Sequence, residues 1–175
     1  QNAALDAMGL DWRYLALPCE EAQLKVVLEG MHAVNCRGLN VTIPHKQSVA
    51  NLCAQLSPLA ERLGAVNTLL PLSEGGWHGT NTDVEGFLAP LGEKERWQGK
   101  QAVVIGCGGS ARAVVAGLQT LQLRMVHVIG RRAEALNQFV ADLQQDDAPL
   151  RAVIEQDPSL IQVIETADLV VNTTP

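Results

Sequence analysis

The sequence predicts an α/β protein of two lobes, a strand-and-helix lobe followed by a doubly wound parallel sheet, and three observations carry that reading. Strands and amphipathic helices alternate along the 175 residues. A glycine turn at 106–109 joins an apolar strand directly to a helix. A polar, charged stretch over 92–100 divides the chain into residues 1–91 and residues 92–175.

In the first part, residues 1–5 read as helix interior and 13–17 as a short strand. Residues 20–34 form a helix with Leu24, Val27, Leu28 and Met31 inward, followed by a strand at 39–43. Pro44, suited to a first helical turn, opens a helix carrying Val49, Leu52 and Cys53, and Ser57-Pro58 starts another in the same manner. Strands at 65–71 and 76–79 are joined by Ser73-Glu74-Gly75-Gly76 as a hairpin. A connecting helix at 83–91 leads to the polar linker. Two lobes imply a cleft, where ligands collect.

The second part opens on Ala102-Val103-Val104-Ile105-Gly106-Cys107-Gly108-Gly109-Ser110-Ala111. Gly106 takes the tight turn, Gly108 lets the backbone approach a pyrophosphate, and Ala111 stands where close helix–strand packing needs a small residue. The exposed first-turn N–H groups of the following helix favour an anion. Such a turn by itself serves equally well to reverse the chain, so the flanks decide. Ala111, Val114, Val115, Leu118 and Leu121 give the helix one apolar face, and a second strand follows at 125–129. Leu136, Phe139, Val140 and Leu143 mark another helix, and 168–172 reads as a third, buried strand. The unit is a Rossmann-type dinucleotide lobe with Gly106, Cys107, Gly108, Gly109, Ser110 and Ala111 at the cofactor. NAD sites place a carboxylate at the end of the second strand, whereas this chain has Gly130-Arg131-Arg132, two guanidiniums suited to a 2′-phosphate. Cations at a helix start oppose its dipole, a conflict that an anionic ligand relieves. The expected cofactor is therefore NADP, with Glu134 as a late acidic residue on the side of NAD.

Composition fits a metabolic enzyme. A net charge of −6 argues against nucleic acid as a partner, and no apolar run approaches the ~20 residues a membrane span needs. Cys19, Cys36, Cys53 and Cys107 contain no C-x-x-C pair and no zinc spacing, so no metal site is expected and reduced thiols in a cytoplasmic protein are. The absent initiator Met and the uncovered last strand suggest a fragment.

Three polar segments of the first lobe fall at strand ends: Asn40-Val41-Thr42-Ile43-Pro44-His45-Lys46, Gly64-Ala65-Val66-Asn67-Thr68 and Asn81-Thr82-Asp83. Together with Gly106-Cys107-Gly108-Gly109 and Gly130-Arg131, in this order, they resemble the shikimate dehydrogenase family over essentially the whole chain. The resemblance implies reversible NADPH-dependent reduction of 3-dehydroshikimate to shikimate, a step of chorismate and aromatic amino-acid biosynthesis, with a homodimer allowed. Lys46 matches the family's catalytic lysine and Asp83 its partner carboxylate. Thr42 and Asn67 match positions that hydrogen-bond the substrate's ring hydroxyls, and Asn40 supports the loop. Taken singly, Lys46 reads as a solvated helix residue, Asp83 as a helix N-cap, Asn67 as a turn residue and Thr42 as strand surface. His45 is given no catalytic role.

Where the family usually has Asn or Ser near Gly130, this chain does not. The family's carboxylate-binding serine loop and a substrate-contacting glutamine fall outside the sequence, so the polypeptide alone is expected to turn over poorly. Two alternatives stand beside this reading: an NAD-using quinate/shikimate dehydrogenase, and a non-catalytic nucleotide-binding regulator that kept the fold.

Overall fold

The structure, a computed structural model, describes residues 1–144 and 149–174. Helix α1 (Asn2–Ala7) precedes a stretch with no regular structure. The strand expected at 13–17 is absent there. Tyr14 instead donates its N–H to Asn2 Oδ1 at 2.7 Å and accepts from Asn2 Nδ2 at 3.0 Å, so one side chain satisfies both main-chain groups that a ladder would have used. A 3-10 turn (Glu21–Gln23) runs into α2 (Leu24–Ala33), which buries Leu24 and Leu28 as expected.

Strand β1 (Leu39–Asn40) is shorter than its apolar run, because the chain turns at once: His45 N–H donates to Thr42 O at 3.0 Å. Helix α3 (Lys46–Ala50) consequently starts two residues after Pro44 and stops before Leu52 and Cys53, where Leu52 N–H closes a tighter turn onto Val49 O. Strand β2 (Gln55–Leu56) was not expected, being too short to alternate. Helix α4 (Pro58–Leu63) begins as the sequence dictates: Ser57 Oγ accepts from Ala60 N–H at 3.2 Å, and Gly64, at φ +58°, ends it. Strands β3 (Thr68–Pro71) and β4 (Trp77–Thr80) make the expected antiparallel hairpin. β3 starts late because Val66 N–H is bound to Lys46 O at 2.8 Å. The sheet order is β1-β3-β4-β2, and Leu24, Leu28, Val49, Val66, Leu69 and Trp77 fill its core. Helix α5 (Asp83–Leu88) and 3-10 turns at Ala89–Leu91 and Lys94–Trp97 form the connection.

The second sheet is wholly parallel. Strand β5 (Gln101–Ile105), α6 (Gly109–Gln119), β6 (Met125–Gly130) and α7 (Ala133–Leu143) follow the expected order. Then come β7 (Leu150–Ile154) and α8 (Leu160–Glu165), neither expected, and β8 (Leu169–Asn172). The order β7-β6-β5-β8 makes the strand read as third in fact the fourth, paired with β5 on the side opposite β6. Nor is it buried: its residues alternate between half-buried and exposed. Arg151 breaks the apolar run of β7, and exposed Ile161 and Ile164 blur the face of α8, which is why periodicity passed over both.

The sheet buries the helix faces the sequence marked, with Ala111, Val114, Val115, Leu118, Leu121, Leu136, Phe139 and Leu143 in one cluster. A smaller cluster joins the two halves. Leu63 and Ala65 pack with Val84 of α5 and with Ala113 and Ala116 of α6.

Candidate active site

Strand order reverses at β5, with β6 and β7 on one side and β8 on the other, and in parallel sheets the crevice at such a switch point is where ligands bind. A cleft of ≈ 950 Å³ lies there, lined by Gly106 through Ser110, by Gly130, Arg131 and Arg132 after β6, and by Pro44 and Lys46 from the first lobe. Gly106 has φ +108°, and a Cβ on it would stand 2.6 Å from Thr173 Oγ1, whose hydroxyl donates to Ile105 O at 2.7 Å. Only glycine fits that turn. Gly108 is the N-cap of α6, and no side chain caps it, so the first-turn N–H groups are left for a ligand. Ala111 is fully buried and contributes packing beneath the turn rather than lining.

Arg131 and Arg132 are exposed at the cleft edge, and among the described residues neither is within 4.0 Å of a carboxylate partner. Two unpaired guanidiniums and a cradle of backbone N–H groups fit a phosphorylated dinucleotide.

Lys46, 9% exposed, stands at the start of α3 with its stem against α6: a Cβ on Gly109 would lie 3.3 Å from Lys46 Cβ. Its Nζ donates to Asp83 Oδ2 at 2.7 Å and to Ser110 Oγ at 3.4 Å. The solvated-lysine alternative is thereby excluded. Asp83 is the first residue of α5, not its cap, and a carboxylate there also meets the positive end of the helix. Its N–H donates to Asn81 Oδ1 at 3.0 Å, and Asn81, 3% exposed, donates in turn to Ala65 O at 3.0 Å.

Asn67 completes the cluster. Its Nδ2 donates to Asp83 Oδ1 at 2.7 Å and Thr82 Oγ1 at 3.1 Å, while its Oδ1 accepts from Thr82 N–H at 3.0 Å and Thr68 Oγ1 at 2.9 Å. Both amide hydrogens and both carbonyl lone pairs are engaged. Asn67 therefore fastens the turn and holds the carboxylate at once. Asn40 Nδ2 reaches Thr68 Oγ1 at 3.4 Å, as a loop support would. Thr42 is exposed and lies outside the cleft lining; it gives its carbonyl to the turn before α3. His45 is half-buried, with Nε2–H donating to Cys19 O at 2.8 Å, an anchor for that turn.

Sequence reasoning missed Thr173, Thr174, Glu155, Leu160 and Ile164, which also line the cleft. All belong to elements around β7 and β8, so the signal that finds them is the strand order.

Fold and site together define a two-lobed α/β protein of the dinucleotide-binding type, with a lysine–aspartate pair facing the glycine turn. Comparison with known proteins agrees. Residues 1–69 match the family described as Shikimate dehydrogenase substrate binding domain. Shikimate dehydrogenase (NADP(+)) of Prochlorococcus marinus (strain MIT 9301) is 43% identical over 175 residues, covering 100% of this chain and 60% of the relative. That of Synechocystis sp. (strain ATCC 27184 / PCC 6803 / Kazusa) is 46% identical over 177 residues, covering 99% and 60%. The crystal structure of shikimate dehydrogenase from Aquifex aeolicus superposes with a TM-score of 0.86 at 32% identity, over 99% of this chain and 61% of that one. The chain is similar along its whole length to these shikimate dehydrogenases and spans about 60% of the length of the curated relatives.

Proposed function

We propose that the full-length protein reduces 3-dehydroshikimate to shikimate, reversibly and with NADPH, as the names of its relatives suggest. The observation that carries this reading is the 2.7 Å contact between Lys46 Nζ and Asp83 Oδ2 beside the turn at Gly109 and Ser110. Residues 1–91 serve as the substrate lobe and 92–175 as the dinucleotide lobe.

The residues divide the work by chemistry. Gly106, Cys107, Gly108, Gly109 and Ser110 cradle the pyrophosphate over packed Ala111, and Arg131 and Arg132 take the 2′-phosphate. When bound, the reduced nicotinamide supplies a hydride to the ketone carbon. Negative charge then gathers on the carbonyl oxygen, where the Lys46 ammonium donates a proton. In the oxidising direction the lysine amine accepts the hydroxyl proton instead. Asp83 holds the ammonium in place and accepts from a substrate hydroxyl. Thr42 and Asn67 meet the ring hydroxyls, Asn67 in exchange for one of its threonine partners. A site built this way rejects analogues lacking those hydroxyls. Four cysteines with free thiols fit a reducing compartment, and we place the protein in the cytoplasm.

Initial rates of the full-length protein with 3-dehydroshikimate, using NADPH and NADH in parallel, test the proposal. Faster turnover with NADPH is expected. Equal use of both cofactors would point to the quinate/shikimate alternative, and no turnover with either to the regulatory one.

A further inference from the structure

One face of α6 is turned toward the first lobe, and its residues recur at helical spacing: Gly109, Arg112, Ala113 and Ala116. Gly109 receives the stem of Lys46, and the two alanines pack with Leu63 and Ala65. Three of the four are small, so the lobes approach closely. Arg112 is the long polar exception.

Its guanidinium spans both lobes. Nη1 donates to Leu63 O, at the end of α4, at 3.2 Å; Nη2 pairs with Asp142 of α7 at 2.5 Å; and the group lies over the Phe139 ring, 5.5 Å from its centroid. The side chain is 13% exposed, and Nε is buried with no hydrogen-bond partner among the described residues. The chain leaving Leu63 then passes, within four residues, three groups that brace the reactive pair. Ala65 O accepts from Asn81, Val66 N–H binds Lys46 O, and Asn67 holds Asp83.

Building on the dehydrogenase reading above, we propose that Arg112 is a positioning residue, a strap from the pyrophosphate helix to the end of α4 that sets the angle between the lobes and so the distance from Lys46 to the reacting ring. It acts through Leu63 O and not through the ligands.

The test uses the full-length protein. Arg112→Met keeps an apolar stem on Phe139 but removes the donor; kcat should fall on the order of tenfold or more while KM for NADPH stays within about twofold. The primary isotope effect on kcat with deuterated NADPH should rise, because hydride transfer becomes slower relative to release. Arg112→Gln, too short to reach Leu63 O, repeats the measurement if the methionine variant does not accumulate. Asp142→Asn leaves the bond to Leu63 O in place, so it should lower thermal stability yet keep kcat within about twofold. Spin labels at exposed Leu70 and Asn137, in a background free of native cysteines, should give a broader distance distribution in Arg112→Met than in the parent. Unchanged kcat, isotope effect and label distances in the Arg112 variants, or a full kcat loss in Asp142→Asn, would overturn the strap. An inactive parent would sink the dehydrogenase reading instead, and the label distances would still judge the strap.

Discussion

Lys46 Nζ lies 2.7 Å from Asp83 Oδ2 across 37 positions of sequence, and neither partner is free to leave. Asp83 is held from its other oxygen by Asn67 and from its backbone by Asn81, while the Lys46 stem is wedged against Gly109. The side chains are 11% and 32% exposed, so the pair is partly desolvated and its geometry is fixed before any ligand arrives. A proton donor held this way loses little entropy when the substrate binds.

Removing the ammonium while keeping the stem isolates its chemistry. Lys46→Met in the full-length protein should reduce turnover by ~10²–10⁴-fold, the range for a lost general acid–base group, with NADPH affinity within about twofold of the parent. Steady-state kinetics and a fluorescence titration measure the two quantities. A variant that still turns over at a tenth of the parent rate would remove Lys46 from the reaction.

Gly106 escapes a backbone cost that any other residue type would incur. At φ +108°, with Thr173 Oγ1 2.6 Å from the site of a Cβ, Gly106→Ala should destabilise by about 1–3 kcal/mol and weaken NADPH binding. Adding Thr173→Ala relieves the collision but not the dihedral strain, so the double variant should recover only part of the loss. Full recovery in thermal unfolding would show that the backbone conformation carries no strain.

Arg131 and Arg132 stand at the cleft edge without a carboxylate partner among the described residues, so a 2′-phosphate would be their first strong contact. A hydrogen bond to a charged group is worth about 1.5–3 kcal/mol, or roughly tenfold to a hundredfold in binding. Arg131→Ala and Arg132→Ala should each lower kcat/KM for NADPH on that scale and leave the value for NADH nearly unchanged. Equal losses with both cofactors would place the arginines in folding rather than recognition.

The parts of this site that sequence could reveal are those written in local patterns. The glycine turn, the helix start at Ser57-Pro58 and the buried face of α6 each follow from residues a few positions apart, and each stands where the pattern puts it. The roles of Lys46, Asp83 and Asn67 came through motif resemblance, because no spacing rule brings residues 46, 67 and 83 together. What stayed hidden depends on long-range pairing. β2 has two residues and exists only because β4 lies beside it, and β7 survives an arginine at its second position because β6 supplies a full ladder. Missing β7 shifted β8 by one place in the sheet, and with it Thr173, Thr174 and Glu155, which line the cleft.

His127 gives the fold a pH dependence separate from that of its carboxylates. It is 6% exposed on β6, with Nδ1 buried and without a partner among the described residues. Burial, then Arg151 and Arg124, lower its pKa from the ordinary 6.5. As pH falls below about 6.5 the unfolded chain takes up a proton that the folded chain refuses, so stability declines until the folded value is reached and then levels. Asp142, held low by its bond from Arg112, and Asp157, held low by Ser159, act elsewhere. Their stabilisation is complete above the ordinary 3.8 and is lost only as pH falls beneath it through their folded values. The melting temperature should therefore begin to fall just below pH 6.5, well before the carboxylate losses set in. His127→Leu should flatten that first decline and leave the acid limb below pH 4 untouched. Calorimetry on both proteins across this range decides the matter, and parallel curves between pH 6.5 and 4.5 would mean that His127 titrates alike in the folded and unfolded chains.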